Sequence, residues 1–361
     1  MTPRNWQNLA ATALVADASL QAHWNRLNAA QRDFAFMTAQ AMAISLAVFG
    51  QGQERLLIGS RQGQIDAMLV LVPDGWTRWR SFQPSQLPLG AFVTAPGVTV
   101  QDLARSLMRG PLAPCMAMSI TQIDPLLAPR QDDAADSGHS DYIATAWLEI
   151  SGSFDDYWAL RGKNLRQNLR KQRNRLAAEG TTVAMQVLRA PEEMAGAITR
   201  YGALESGGWK ATEGTAIHPD NSQGRFYTQL LEDAASRSEA VVFECRFNDR
   251  TVASNLCLLR RGVLVVLKTT YDESIPKSLS PAFLLREDEL QHFFAGTEVQ
   301  RVEYFGRRMD WHTKLTEHQR TLYHLTTYRW PIVKRLAAWR RQPVEAPAAE
   351  PAKKVAEISP A

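Results

Sequence analysis

One pattern, present twice, constrains the fold more than any other feature of the chain. An apolar helix signal is followed by two apolar strands joined by a short polar turn. In the first half the helix is residues 34–49, and the strands 55–60 and 65–72 turn at Arg61-Gln62-Gly63-Gln64. In the second half the helix is residues 226–235, and the strands 240–246 and 251–259 turn at Asn248-Asp249 beside Arg250. Such turns specify hairpins. Further strand and helix signals follow each hairpin, so the chain reads as two copies of one α/β module. The copies do not align by residue identity.

The remaining elements fall around these repeats. Residues 1–30 are expected to be helical and peripheral. Residues 100–108 form a helix with Thr99 as N-cap and Gly110 past its end. Strands are expected at 115–120, 145–150, 183–188, 263–269, 299–305 and 321–328. One helix starts at Pro191. Another starts at Pro281 behind a Ser280 N-cap, with a stripe of Phe283, Leu290 and Phe294. The polar, acidic stretch 129–141, PRQDDAADSGHSD, reads as an interdomain linker or a mobile loop. Domains are therefore expected at 1–140 and 141–335. The Ala/Pro/Glu/Lys tail, 341–361, is expected to be disordered.

Residues 157–180, YWALRGKNLRQNLRKQRNRLAAEG, concentrate positive charge. Arg161, Lys163, Arg166, Arg170, Lys171, Arg173 and Arg175 precede the first acid, Glu179. Trp158, Leu165, Leu169 and Leu176 recur at steps of seven, four and seven, which puts one apolar stripe along a basic helix. A solvated face is the common meaning of a charge run. Unrelieved cations also repel one another and invite an anionic partner along 161–175. The whole chain carries a net charge of only +4, so its basic character is local and nucleic acid is not the expected partner.

Other classes lose support. The three cysteines, Cys115, Cys245 and Cys257, fit neither a disulfide framework nor a zinc site and suit a reducing cytoplasm. The histidines are scattered without metal-site spacing, so no metal is expected. No nucleophile elbow or Walker A motif occurs. The longest uncharged run, residues 34–50, is interrupted by Thr38, Gln40 and Ser45 and is shorter than the ~20 residues that span a bilayer. The N-terminus lacks a signal-peptide pattern.

Three stretches beside the basic helix could carry chemistry. In YGALESGGWK a helix ends at Glu205 and runs into Gly207-Gly208, Trp209 and Lys210. Adjacent glycines let backbone approach a ligand. A carboxylate at the negative end of a helix dipole suits proton uptake. In LKTTYDESIPKSLSPAFLL a strand ends at Tyr271-Asp272 and a helix begins at Pro281; first-turn amides of that kind bind anions. In YFGRRMDWHTK a strand breaks at Gly306 into Arg307, Arg308, Asp310, His312 and Lys314. Each stretch has a plainer reading as well: a Gly-rich helix stop, an ordinary strand–loop–helix joint and a charged surface loop.

Taken in order, these stretches resemble a known family. The series is Trp158 to Gly180, Glu205 to Trp209-Lys210, Phe226-Tyr227, a hairpin, Tyr271-Asp272, Leu279-Ser280-Pro281, Phe305-Gly306 and Asp310 to Lys314. It is similar to the CelD/BcsL-type acetyltransferases of cellulose and exopolysaccharide biosynthesis, within the GNAT superfamily. These in turn are similar to the FemAB aminoacyltransferases. The resemblance implies an α/β (α+β) fold of two tandem GNAT-like modules, each a mixed, mainly antiparallel sheet flanked by helices. It implies acyl transfer from acetyl-CoA or another acyl-CoA to an amine or hydroxyl of a small-molecule or saccharide acceptor. The Pro281 helix would receive the pyrophosphate, with Ser278, Ser280, Ala282 and Phe283 around it. The strand carrying Thr269 and Thr270 would offer a backbone amide to the thioester oxygen. Tyr271 would protonate the leaving thiolate, and Glu205 or Asp310 would act as base. Trp209, Lys210 and Lys314 would hold the acceptor or phosphate.

The chain departs from the family by lacking the Q/R-x-x-G-x-G/A phosphate loop and by carrying Pro281-Ala282 where relatives have Pro-Gly. Two alternatives stand beside this reading. One is a FemAB-like transfer from aminoacyl-tRNA, although no heptad run marks an RNA-binding coiled coil. The other is a non-enzymatic binding protein on a decayed GNAT fold.

Overall fold

The hairpins turn where the backbone enters the left-handed region. Gln62 and Gly63 have φ of 51° and 79°, Asn248 has 52°, and at the next turn, after residue 260, Arg261 and Gly262 have 47° and 76°. Paired positive φ values match the twist of flanking antiparallel strands, and glycine takes the second position without strain. The computed structural model describes residues 4–206 and 217–340. Its strands are β1 (Asn5–Ala10), β2 (Arg55–Arg61), β3 (Gln64–Pro73), β4 (Arg78–Ser81), β5 (Phe92–Thr94), β6 (Ala117–Ile123) and β7 (Ser137–Glu149) in the first half. The second half adds β8 (Val183–Leu188), β9 (Ala240–Phe247), β10 (Arg250–Arg260), β11 (Val263–Tyr271), β12 (Arg301–Glu303) and β13 (Gln319–Tyr328).

All join one mixed sheet in the order β1-β2-β3-β4-β6-β13-β7-β12-β11-β10-β9-β8, with β5 against β3. Pairing is antiparallel except for β4 with β6 and β11 with β12, one parallel pair in each half. The order is close to palindromic, as a duplication predicts. At the centre the halves exchange strands. β7 continues the second half's sheet beside β12, while β13 returns to the first half beside β6. β7 and β13 pair with each other from Ser137↔Thr327 to Ala146↔Gln319. The expected division at residue 140 falls inside β7.

Alternation along β9 and β10 separates two cores. Val242, Leu256 and Leu258 face one, with the helices Pro191–Ser206 and Ser222–Ala235. Val241, Phe243, Cys257 and Leu259 face the other, with Lys163–Ala178 and Pro281–Ala295. The first core also takes in Trp24, Phe36 and Met42, so one apolar layer joins both halves. Each such side chain contributes about 1.5–3 kcal/mol on full burial.

Several expectations are corrected. The N-terminal stretch is not peripheral: β1 pairs with β2, and Trp24 and Leu27 on the helix Ala18–Ala29 are fully buried. The helix expected at 34–49 begins as a 3-10 turn, Ala35–Met37, and becomes α-helical at Ala39 under a Thr38 cap. The stretch 129–141 is not a free linker. It enters β7 at Ser137, and Asp136 accepts hydrogen bonds from Arg105 at 3.0 and 2.7 Å. The single basic helix is two, Phe154–Ala159 and Lys163–Ala178, so Trp158 and Leu169 lie on different helices. On the Pro281 helix the buried stripe is Leu284, Leu285, Leu290 and Phe293, and Phe283 and Phe294 are only half-buried. A helix not expected from the sequence, Pro331–Arg340, follows β13.

Candidate functional site

β11 and β12 pair only over Val263↔Arg301, Leu264↔Val302 and Val265↔Glu303. Past Glu303 the chain leaves the ladder, and Phe305 takes φ of 50°. β11 continues alone on that side to Tyr271 and carries a bulge. Cys257 opposes Val266 but Leu256 opposes Lys268, leaving Leu267 as the extra residue. The bulge shifts the alternation. Lys268 therefore lies on the face of the Pro191–Ser206 helix, 5.9 Å from the Tyr227 ring centroid. Thr269 lies on the opposite face, where its Oγ1 accepts a hydrogen bond from Arg286 Nη2 at 3.2 Å.

On the Thr269 face a cleft of about 790 Å³ opens between the helix Lys163–Ala178 and the start of the Pro281 helix. Arg161, Lys171, Arg175, Lys277 and Lys314 line it, against one acid, Glu317. Ser278, Ser280 and Phe283 are in the same wall, so the structure brings four of the expected site residues together here. Arg175 Nη1 donates to Ser278 Oγ at 3.0 Å, and Lys314 Nζ sits 5.3 Å from the Phe283 ring centroid. The Ser280 side chain does not cap its helix. Its backbone N–H instead donates to Gln172 Oε1 at 2.8 Å, which joins the two helices across the floor. Ala282 follows in the first turn. A helix N-terminus among cations is suited to a diphosphate.

On the other face Glu205 ends the Pro191–Ser206 helix and is only 3% exposed. Its carboxylate accepts from Tyr201 Oη at 3.3 Å and from the Ile217 N–H at 2.9 Å. Burial raises the Tyr201 phenol well above its ordinary range, and the Glu205 charge adds to this. Tyr227 is raised for the same reasons. Both phenols thus stay protonated beside the carboxylate. Glu205 and the Pro281 helix lie on opposite faces of the sheet, with the divergent end of β11 between the two layers.

The other expected residues are dispersed. Tyr271, 47% exposed, ends β11 on the Thr269 face opposite Ala253, and Thr270 precedes it. Asp310 is exposed at the start of the short helix Asp310–Thr313. Trp209 and Lys210 lie outside the described residues. Among the described residues, no cluster of His, Cys, Asp or Glu is arranged to hold a metal.

Sequence reasoning missed Arg286 and Lys268. Arg286 is buried, with its guanidinium 4.5 Å from the Trp311 ring centroid and 5.4 Å from that of Tyr304. Glu289 faces it at 3.5 Å and also accepts from Asn255 at 2.6 Å. His312 stacks on Trp311, and burial, with the Arg286 charge, lowers its pKa to about 4. Lys268 had a signal: it is the one charged residue in the apolar run VLVVLKTTY. Arg286 had none, because a charge inside a helix reads as solvated.

Residues 163–313 match a family described as an acetyltransferase (GNAT) domain. The match runs from the basic helix through the Asp310 helix and stops one residue before Lys314. No curated protein sequence matches the chain. Among solved structures, FemX is 9% identical with a TM-score of 0.54, covering 88% of this chain and 98% of its own. The C-terminal domain of an Agrobacterium fabrum protein assigned as a lysylphosphatidylglycerol synthetase is 14% identical with a TM-score of 0.53, covering 89% and 95%. A conserved Bacteroides thetaiotaomicron protein is 9% identical with a TM-score of 0.53, covering 91% and 100%. At these identities the likeness is one of fold, and it extends over both halves.

Proposed function

We propose that the chain is an acyltransferase that moves an acyl group, acetyl in the simplest case, from acyl-CoA to an amine or hydroxyl. The observation that carries this reading is the cation-lined cleft at the start of the Pro281 helix, which Arg286 ties to the bulged strand through Thr269. Lys171, Arg175, Lys277 and Lys314 hold the donor's phosphates. The acceptor attacks the thioester carbonyl. Its C–N or C–O bond forms as the C–S bond breaks, and backbone N–H groups at the β11 bulge stabilise the oxyanion. Glu205 takes the acceptor's proton and Tyr271 supplies one to the departing thiolate. Asp310 is the alternative base. The resemblance to CelD/BcsL-type enzymes supports a saccharide or cell-envelope acceptor and a cytoplasmic setting, where acyl-CoA is available.

A second reading, an aminoacyl-tRNA donor, is favoured by Lys163, Arg170 and Lys171. All three are exposed on the helix and form no ion pair among the described residues. Calorimetry with acetyl-CoA, longer acyl-CoAs and aminoacyl-tRNA separates the two. The CoA thioesters should bind, and Arg175→Ala with Lys277→Ala should weaken them about tenfold, or roughly 1.4 kcal/mol. If no CoA thioester binds at high micromolar concentration, the first reading fails. Binding of tRNA that collapses with salt would then replace it.

A further inference from the structure

The helix Pro331–Arg340 is amphipathic in the wrong direction for a helix that packs on its own protein. Ile332, Leu336 and Trp339 are spaced by four and three, so they share one stripe within about 60° of arc. That stripe faces away from the body: the three are 55%, 54% and 78% exposed, and Trp330 just before the helix is 51% exposed. The opposite side holds the helix down. Lys334 Nζ donates to the carbonyls of Ala134 and Ser137, and Arg329 Nη1 donates to Met108 O. The outward direction of the stripe is thus set by contacts to the body.

Charge identifies what covers it. Arg329, Lys334, Arg335, Arg340 and Arg341 lie within thirteen residues, and no Asp or Glu occurs between Glu317 and Glu345. A second copy meeting this face symmetrically would oppose arginine to arginine. A short helix with tryptophan, leucine and isoleucine on one side, exposed Arg335 next to Leu336, and no acid in the stretch suits the boundary of an anionic bilayer, where indole rings sit at headgroup depth. At ten residues, about 15 Å long, it is too short to cross such a surface.

We propose that the outer face of this helix docks the protein onto an anionic lipid surface. The proposal is independent of the acyl donor, because none of these residues lines the cleft. The test is co-sedimentation of the full chain with vesicles of phosphatidylcholine alone and of phosphatidylcholine mixed with phosphatidylglycerol. Binding to the mixed vesicles, little binding to the neutral ones, and a loss as salt rises are expected. Leu336→Ser with Trp339→Ser, and separately Arg335→Glu, should each weaken that binding about tenfold or more while leaving the circular dichroism and donor binding unchanged. Equal sedimentation of wild type and variants, or none with anionic vesicles, would overturn the proposal. A dimer in sedimentation velocity that the Leu336/Trp339 variant dissociates would also overturn it, by assigning the face to a second copy. So would preferential capture by an acidic protein of the calmodulin kind with no lipid binding.

Discussion

Arg286 donates a hydrogen bond from Nη2 to Thr269 Oγ1 at 3.2 Å, tying the helix that opens the cleft to the strand that leaves its neighbour. The same guanidinium balances buried Glu289 and stacks on Trp311. Burial raises the Glu289 carboxyl even so. Arg286→Met should therefore strand a buried carboxylate and cost about 3–5 kcal/mol in urea unfolding. Adding Glu289→Gln should return part of that loss. A single-variant cost below about 1 kcal/mol would show that the pair does not hold the strand.

Glu205→Gln keeps an oxygen for the Ile217 N–H but removes the proton acceptor. Turnover should fall by roughly 10²–10⁴-fold, with the melting temperature nearly unchanged. Wild-type turnover in this variant would pass the role of base to Asp310, where Asp310→Asn is the matching measurement.

Stability should depend on pH through His312. Its folded pKa, about 4, lies below the ordinary value of 6.5 because burial disfavours the imidazolium. A depressed pKa gives stability that is fully present above pH 6.5 and lost as pH falls through about 4. The loss should be on the order of 2–3 kcal/mol. His312→Gln should flatten the unfolding free energy across that window, and a slope identical to wild type would assign the acid sensitivity elsewhere.

Trp24 is fully buried and its Nε1 donates to Met37 O at 2.8 Å. Trp24→Ala should cost about 3–5 kcal/mol, read from the denaturant midpoint. A peripheral N-terminal helix would lose almost nothing.

Features set by near neighbours were legible in the sequence. The turns at Gln62-Gly63 and Asn248 followed from turn chemistry, and the Thr99 cap on Val100–Arg109 appears where its spacing put it. The helix starts at Pro191 and Pro281 and the grouping of Ser278, Ser280, Phe283 and Lys314 were likewise within reach, since three of those four sit at one loop–helix joint. β1 was missed because six residues carry too little period-two signal and its partner lies some fifty residues on. The helix Pro331–Arg340 was missed because its apolar stripe is paired with nothing that a sequence pattern marks.

The sequence by itself determined the local elements, the duplication of their order and the concentration of cations on one helix. Only the tertiary structure decided the exchange of β7 and β13, the bulge that puts Lys268 on the face of the Pro191–Ser206 helix and Thr269 on the cleft face rather than the reverse, and the burial of Glu205 on the sheet face opposite the cleft. The reason is physical. Turns and caps are satisfied by hydrogen bonds within a few residues. Strand order, face and burial depend on partners that only the whole fold brings together, some of them far along the chain, as when Arg173 meets Glu287, 114 residues on, at 2.9 Å.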